Sequence, residues 1–153
     1  MGSSRTFEHF FETTEPLVRR ALVGRVGAEL GRDAAAEAFA VAWSSWERVS
    51  VMENPAGYVY RVAERWAHRQ TKLAAPSGIE PEVVEDEYHD HELAAALGEL
   101  SPQQRQAVVL VEGMGMTYRE AAELLGCGRS SLQKHLERGL ARLRKNLEVN
   151  DNA

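Results

Sequence analysis

The residues spell out an all-α protein of two small helical domains joined by an acidic flexible linker. Three features lead there. Apolar residues recur at three- and four-residue spacing along most of the 153 residues, the period of helices with one buried face. No convincing two-residue alternation bounded by hairpin turns appears, so strands are not expected. Between Ala75 and His91 the periodicity stops, and Pro76, Gly78, Pro81 and an acidic run take over, a composition that reads as a linker. The expected domains are residues 5–74 and 92–149, with residues 75–91 between them.

The elements follow in order. A first helical stretch carries Phe7, Phe10 and Phe11, and a second follows Pro16 with Leu17, Val18, Leu22 and Val26. The corner Gly31-Arg32-Asp33 offers Asp33 as an N-cap. From there Glu37, Phe39, Val41, Ala42, Trp43 and Trp46 extend a strong helix. Asn54-Pro55 pairs a capping residue with proline at the first helical position, where its missing N–H costs nothing. The helix it opens runs through Tyr58, Val59, Val62, Trp66 and Leu73. In the C-terminal half, Ser101–Gln104 and Thr117–Glu120 are capping boxes, and Ser130–Gln133 is a weaker third. Leu124-Leu125-Gly126-Cys127-Gly128 forms a glycine-flanked turn before that last box. The expectation is four helices, the linker, then four more.

Composition narrows the function. Apolar residues at 44% and charged residues at 27% are those of a folded globular protein. No stretch approaches the roughly 20 apolar residues of a membrane span, so no membrane insertion is expected. Glu8, Glu12 and Glu15 stand where a signal peptide would be apolar. The start Gly2-Ser3-Ser4-Arg5-Thr6 fits the myristoylation pattern, but so short an expression often matches by chance. Cys127 is the only cysteine, which excludes an intrachain disulfide and a cysteine-based metal site and agrees with a reducing, cytoplasmic location.

The net charge of −5 divides unevenly. Residues 1–75 hold 10 Lys/Arg against 9 Asp/Glu, residues 76–99 none against 8, and residues 100–153 hold 8 against 6. The acidity belongs to the middle, and the total says little about either end.

Two segments carry a binding signal. In Thr117–Leu136 a short capped helix, a three-residue turn and a longer helix make a helix-turn-helix. Ala122, Gly126, Leu132 and Leu136 supply its small, turning and anchoring residues. The second helix would enter the major groove by its N-terminal end. It would present Arg129, Ser130, Gln133 and Lys134, with His135 and Arg138 a turn further on. Arg, Lys and Gln contact base edges or phosphates, and Ser130 and Ser131 suit phosphates near the helix start. Arg119 lies on the preceding helix. The bland alternative is a helical hairpin with a wetted basic face.

The second segment is the helix from Pro55. Arg61, Arg65, Arg69 and Lys72 form one basic stripe suited to a phosphate backbone. Trp66 and His68 lie near it, Asn54 opens its helix, and aromatics beside cations suit unstacked bases. Spacing from Val62 and Val59 favours the core for Trp66, and the stripe, with Glu64 beside it, equally describes a solvated face.

The frame around these segments strongly resembles the extracytoplasmic-function sigma factors of bacterial RNA polymerase. Leu100–Arg105, Val108–Leu110, Met116–Gly126 and the closing Leu136–Arg144 are similar to that family's domain four. Asp33–Trp43 and Asn54–Ala63 are similar to its domain two. Both occur in order, covering nearly the whole chain. The resemblance implies that the first domain docks on the polymerase and melts the downstream promoter element, while the second reads the upstream element as duplex. It places polymerase binding at Asp33 and Glu37. It assigns base capture to the Arg48–Glu53 loop, downstream-element contacts to the helix from Pro55, and upstream-element contacts to the last helix. Core RNA polymerase and promoter DNA are the implied partners, an anti-sigma factor a further one, and no cofactor is implied. The linker either occupies the polymerase's positively lined RNA exit path or is an ordinary spacer.

The chain also departs from the family. Arg32 and Ala36 stand where it carries acidic and glutamine residues, leaving Asp33 and Glu37 to dock. Arg65 and Arg69 replace its common Asn and Asp. Gln133 and His135 replace basic residues and Ser130 a glycine, which implies a promoter preference of its own or weaker DNA affinity.

Other readings are thinner. His89-Asp90-His91 offers zinc-type ligands without a further clustered ligand nearby, so no metal site is expected. Met114 and Met116 flank Gly115 as core filler or partner surface. No glycine-rich phosphate loop or nucleophilic triad is visible, so no catalytic residue is assigned and an enzyme is not expected. The competing readings are a stand-alone helix-turn-helix regulator and a sigma-like interaction protein with weakened polymerase docking.

Overall fold

The computed structural model describes residues 6–73 and 91–151, and among them the regular structure is helical with no strand. The chain divides into two compact units, one within residues 1–80 and the other within 81–153.

The first unit contains α1 (Phe7–Val26), α2 (Ala28–Ser44), the single turn α3 (Trp46–Val49) and α4 (Pro55–Leu73). α1 starts where Thr6 accepts a hydrogen bond from the His9 backbone N–H. It then runs unbroken through Pro16. The expected division at that proline is therefore a correction. A proline inside a helix removes one backbone bond and costs about 3 kcal/mol, but Phe10, Thr14, Val18, Ala21 and Leu22 keep one buried face on both sides of it. Packing outweighs the local break.

The corner falls at Gly27, not at Gly31-Arg32-Asp33. Gly27 has φ 98°, a left-handed value that glycine adopts without a Cβ clash, and α2 begins at the next residue. Asp33 is consequently not an N-cap but an exposed residue in the second turn of α2. α1 and α2 form an antiparallel hairpin. Gly31 rests against the Leu22–Val23 backbone at the corner. At the open end Phe10 meets Phe39 and Trp46, with ring centroids 5.8 and 5.1 Å apart, while Phe7 meets Trp46 edge-on at 5.5 Å. The buried Phe10 and Phe39 each contribute roughly 1.5–3 kcal/mol. α4 closes the unit with Val59, Tyr60, Ala63 and Ala67, all fully buried.

The second unit contains α5 (His91–Gly98), α6 (Pro102–Val108), α7 (Tyr118–Leu125) and α8 (Arg129–Asp151). Both expected capping boxes form. Ser101 accepts from the Gln104 N–H while the Gln104 side chain accepts from the Ser101 N–H. α6 leads into one π turn, Val109–Gly113, which no sequence signal announced. α8 is the spine: Gly139 passes α6 at Gln104 and Val108, and Asn146 donates to the Ala96 carbonyl at 3.4 Å. Met114 and Met116 are buried with Leu97, Leu100, Leu110, Leu132 and Leu136, so they are core filler. No helix among the described residues is long and apolar enough to cross a membrane.

Candidate nucleic-acid interface

The helix-turn-helix consists of α7, its turn and the start of α8. Thr117 and Glu120 form a reciprocal box at α7's N-terminus, with bonds of 3.1 and 3.3 Å. Gly126 ends the helix in the left-handed conformation at φ 68°, its N–H returning to Ala122 and Glu123. Cys127, half-buried, returns its own N–H to Ala122. α8 then starts at Arg129, its Leu132 N–H bonded to the Gly128 carbonyl. The expected third box is thus a correction, since Ser130 already lies inside the first helical turn.

Leu132 and Leu136, at 0% and 2% exposure, seat α8 on the unit's core. That choice of buried face dictates the outward one. Arg129, Ser130, Ser131, Gln133, Lys134 and Arg138 are exposed, and His135 is half-buried. Two of the outward polar groups have acidic partners. Arg119 is paired with Glu123 at 3.4 Å, both side chains mostly in solvent. Gln133 donates its amide N–H to Glu137 Oε1 at 3.1 Å.

The basic face also runs further than expected. Arg138, Arg142 and Lys145 line a shallow cleft with Gln104, Ala141 and Asn146. Arg142 and Lys145 follow Arg138 at i+4 and i+7, a spacing legible in the sequence that the motif reading passed over.

In the first unit, Asn54 accepts from the Gly57 N–H at 3.0 Å through its side-chain oxygen. That oxygen caps the start of α4. Arg65 and Arg69 are exposed on α4, Arg61 and Trp66 are half-buried, and the side chain of Lys72 lies outside the described part. Arg25 donates to Glu64 at 3.1 Å, so the acid beside the stripe is engaged on the core side. Trp66 is neither fully buried nor free. The Arg48 guanidinium donates to the Tyr58 hydroxyl at 3.1 Å and lies 5.5 Å from that ring's centre, which ties the 48–53 loop to α4. Val49 anchors this loop with no exposure while Val51 is 83% exposed at its tip.

Asp33 and Glu37 are both exposed, one turn apart on α2. The surface beside them is more apolar than expected, because Trp43 is 68% exposed and Val41 38%. Phe11, Phe39, Ala36, Ala40 and Trp43 line a groove between α1 and α2, with Glu15 and Arg32 at its rim. His89 and Asp90, the metal candidates, lie outside the described residues, as does the acidic segment before His91.

Residues 90–143 match the family described as Sigma-70, region 4, a span that contains the whole helix-turn-helix. The chain is 29% identical to the RNA polymerase sigma-E factor of Streptomyces antibioticus over 98% of its length and 89% of that protein's. It is 27% identical to the protein of the same name from Streptomyces coelicolor, covering 99% and 91%. Its fold is similar to that of the sigma factor RpoE solved with the anti-sigma factor NepR from Bartonella quintana. There the TM-score is 0.59 at 18% identity, over 94% of this chain and 97% of that one. CnrH, solved with the cytosolic domain of CnrY, gives 0.53 at 19% over 97% and 91%. The region 4 signature thus lies on the capped helix-turn-helix, and the chain is similar to the sigma-E factors over nearly its whole length, across both units in order.

Proposed function

We propose that this protein is a promoter-recognition subunit that binds core RNA polymerase and directs transcription initiation. It works through residues 5–74 as the polymerase-docking and downstream-element domain and residues 92–149 as the upstream-element domain, joined by residues 75–91. The observation that carries this reading is the outward face of α8. The capped turn and the seating of Leu132 and Leu136 leave a run of exposed basic and amide side chains at the very helix end that fits a major groove.

Within that division, Arg129, Lys134 and Arg138 hold phosphates or guanine edges, with Arg119 flanking them from α7. Ser130 and Ser131 donate to phosphate near the helix start, and His135 lies at the edge of this surface. Arg61, Arg65 and Arg69 follow the backbone of the downstream element, with Lys72 continuing their spacing. Trp66, on the same helix, and Asn54, at its start, serve the opened strand. Asp33 and Glu37, beside the apolar groove, face the polymerase. The protein acts in the cytoplasm and carries no reaction of its own. The solved complex of RpoE with the anti-sigma factor NepR supports an anti-sigma partner here too.

Transcription in vitro with purified core polymerase tests the whole. Specific starts are expected only when the chain is present, and no start from any promoter of a genomic library would remove the reading. At finer grain, Lys134→Ala and Arg129→Ala are expected to weaken upstream-duplex binding. Losing a pure phosphate contact lowers the salt slope by about one. Unchanged affinity and slope in both would discard the α8 assignment. Asp33→Ala is expected to reduce recovery with core polymerase while circular dichroism stays as in the parent; equal recovery would discard that docking surface.

A further inference from the structure

The pair Gln133–Glu137 lies in the middle of the outward face of α8, flanked by Lys134 and Arg138. Both side chains are exposed, and the Gln133 amide N–H is held by Glu137 Oε1 at 3.1 Å. An unpartnered glutamine offers both a donor and an acceptor, the combination that reads adenine bidentately. Here part of the donor capacity is engaged within the helix. What the pair turns outward is dominated by acceptors: the Gln133 carbonyl oxygen and the remaining carboxylate lone pairs of Glu137, with one negative charge. In the major groove, guanine presents two acceptors, N7 and O6, whereas cytosine and adenine each present an exocyclic amino donor.

We infer that Gln133 and Glu137 act together as a specificity-determining pair that selects a base presenting an amino donor in the major groove, cytosine above all, and excludes guanine at the facing position of the upstream element. Cytosine is favoured because its N4 amino group is the partner of a carboxylate acceptor, while adenine also brings N7, an acceptor, to the same edge. Exclusion has a second cause. A carboxylate turned toward the groove repels the phosphate lattice unless a donor meets it. Lys134 and Arg138 keep the pair close to the duplex by holding phosphates on either side. The carboxylate at Glu137 therefore subtracts affinity from wrong sequences more than from the right one, which is how an unfavourable group creates discrimination.

This inference rests on α8 being the upstream-element reader, and the experiment separates the two. The full-length chain, assembled with core polymerase, selects from duplexes randomised across the upstream element, alongside Glu137→Gln, Glu137→Ala and Gln133→Ala. The parent is expected to enrich cytosine or adenine and deplete guanine at one position. Both Glu137 variants are expected to lose about tenfold of the discrimination against guanine and to bind random duplex more tightly. Gln133→Ala is expected to keep the depletion of guanine while its preference between cytosine and adenine shifts. If the parent enriches no sequence, the reading of α8 falls, and this inference with it. If the parent selects a sequence and the Glu137 variants select the same one with equal stringency, the reading of α8 stands and the pair is overturned. Both positions are on the surface, and a circular dichroism melt checks that each variant is folded.

Discussion

Tyr60 shows how one buried group couples the first unit to pH. It is fully buried on α4, and burial pushes its phenol well above the ordinary tyrosine value. The Arg25 guanidinium opposes that rise and the Glu64 carboxylate adds to it. The hydroxyl has no hydrogen-bond partner among the described residues. In the folded state the phenol thus stays neutral while an unfolded tyrosine ionises from about pH 10. The stabilisation is fully present below pH 10 and is lost as pH rises, at up to about 1.4 kcal/mol per unit. Tyr60→Phe removes a desolvated hydroxyl with little change of volume. It is expected to leave stability at pH 7 equal or higher by up to about 1 kcal/mol, and to flatten the loss between pH 10 and 11. Urea unfolding at both pH values checks this. A marked destabilisation at pH 7 would mean that the hydroxyl is bonded after all.

At the level of helices, what was legible in the sequence and what was not divide along one physical line. The boxes at Ser101 and Thr117 and the Asn54-Pro55 start were readable because their orphan N–H groups are satisfied by side chains within three residues. Pro16 and Asp33 misled for the opposite reason. Their local signals spoke for a break and a cap, and the α1–α2 packing decided otherwise. The π turn after α6 left no local mark. The outward face of α8 was largely readable, because the buried leucines fix it, but the engagement of Gln133 by Glu137 depends on a side-chain partner the motif does not name. Gly31 tests the packing argument directly. Glycine to alanine in a helix interior ordinarily gains about 1 kcal/mol. At Gly31 the added Cβ would fall 2.6 Å from the Val23 backbone nitrogen and 2.7 Å from its Cα, so α1 would have to move away. Gly31→Ala is expected to destabilise by about 1–3 kcal/mol, seen as a lower denaturation midpoint. A raised midpoint would show that the corner between α1 and α2 is looser than described.

For the molecule as a whole the question is how a chain of net charge −5 engages DNA at all. The eight acids of residues 76–99 carry no compensating Lys or Arg, whereas the rest of the chain is weakly positive. A covalently tethered polyanion competes with duplex phosphates for the same basic faces and repels the duplex itself, and both effects fade as salt shortens the Debye length from about 10 Å at 0.1 M. Replacing Glu80, Glu82, Glu85, Asp86, Glu87 and Asp90 by their amides keeps the length and hydrophilicity and removes six charges. Affinity for random duplex is expected to rise about tenfold at 50 mM salt and to converge with the parent near 0.5 M, as measured by fluorescence anisotropy. Equal affinity at low salt would show that the segment exerts no field on either basic face. The same variant separates the two roles open to the segment. If its charge substitutes for nucleic acid in the polymerase's exit path, assembly with core enzyme and promoter-specific initiation fall even as random-duplex affinity rises. A spacer requires only length, and then initiation per assembled enzyme is unchanged.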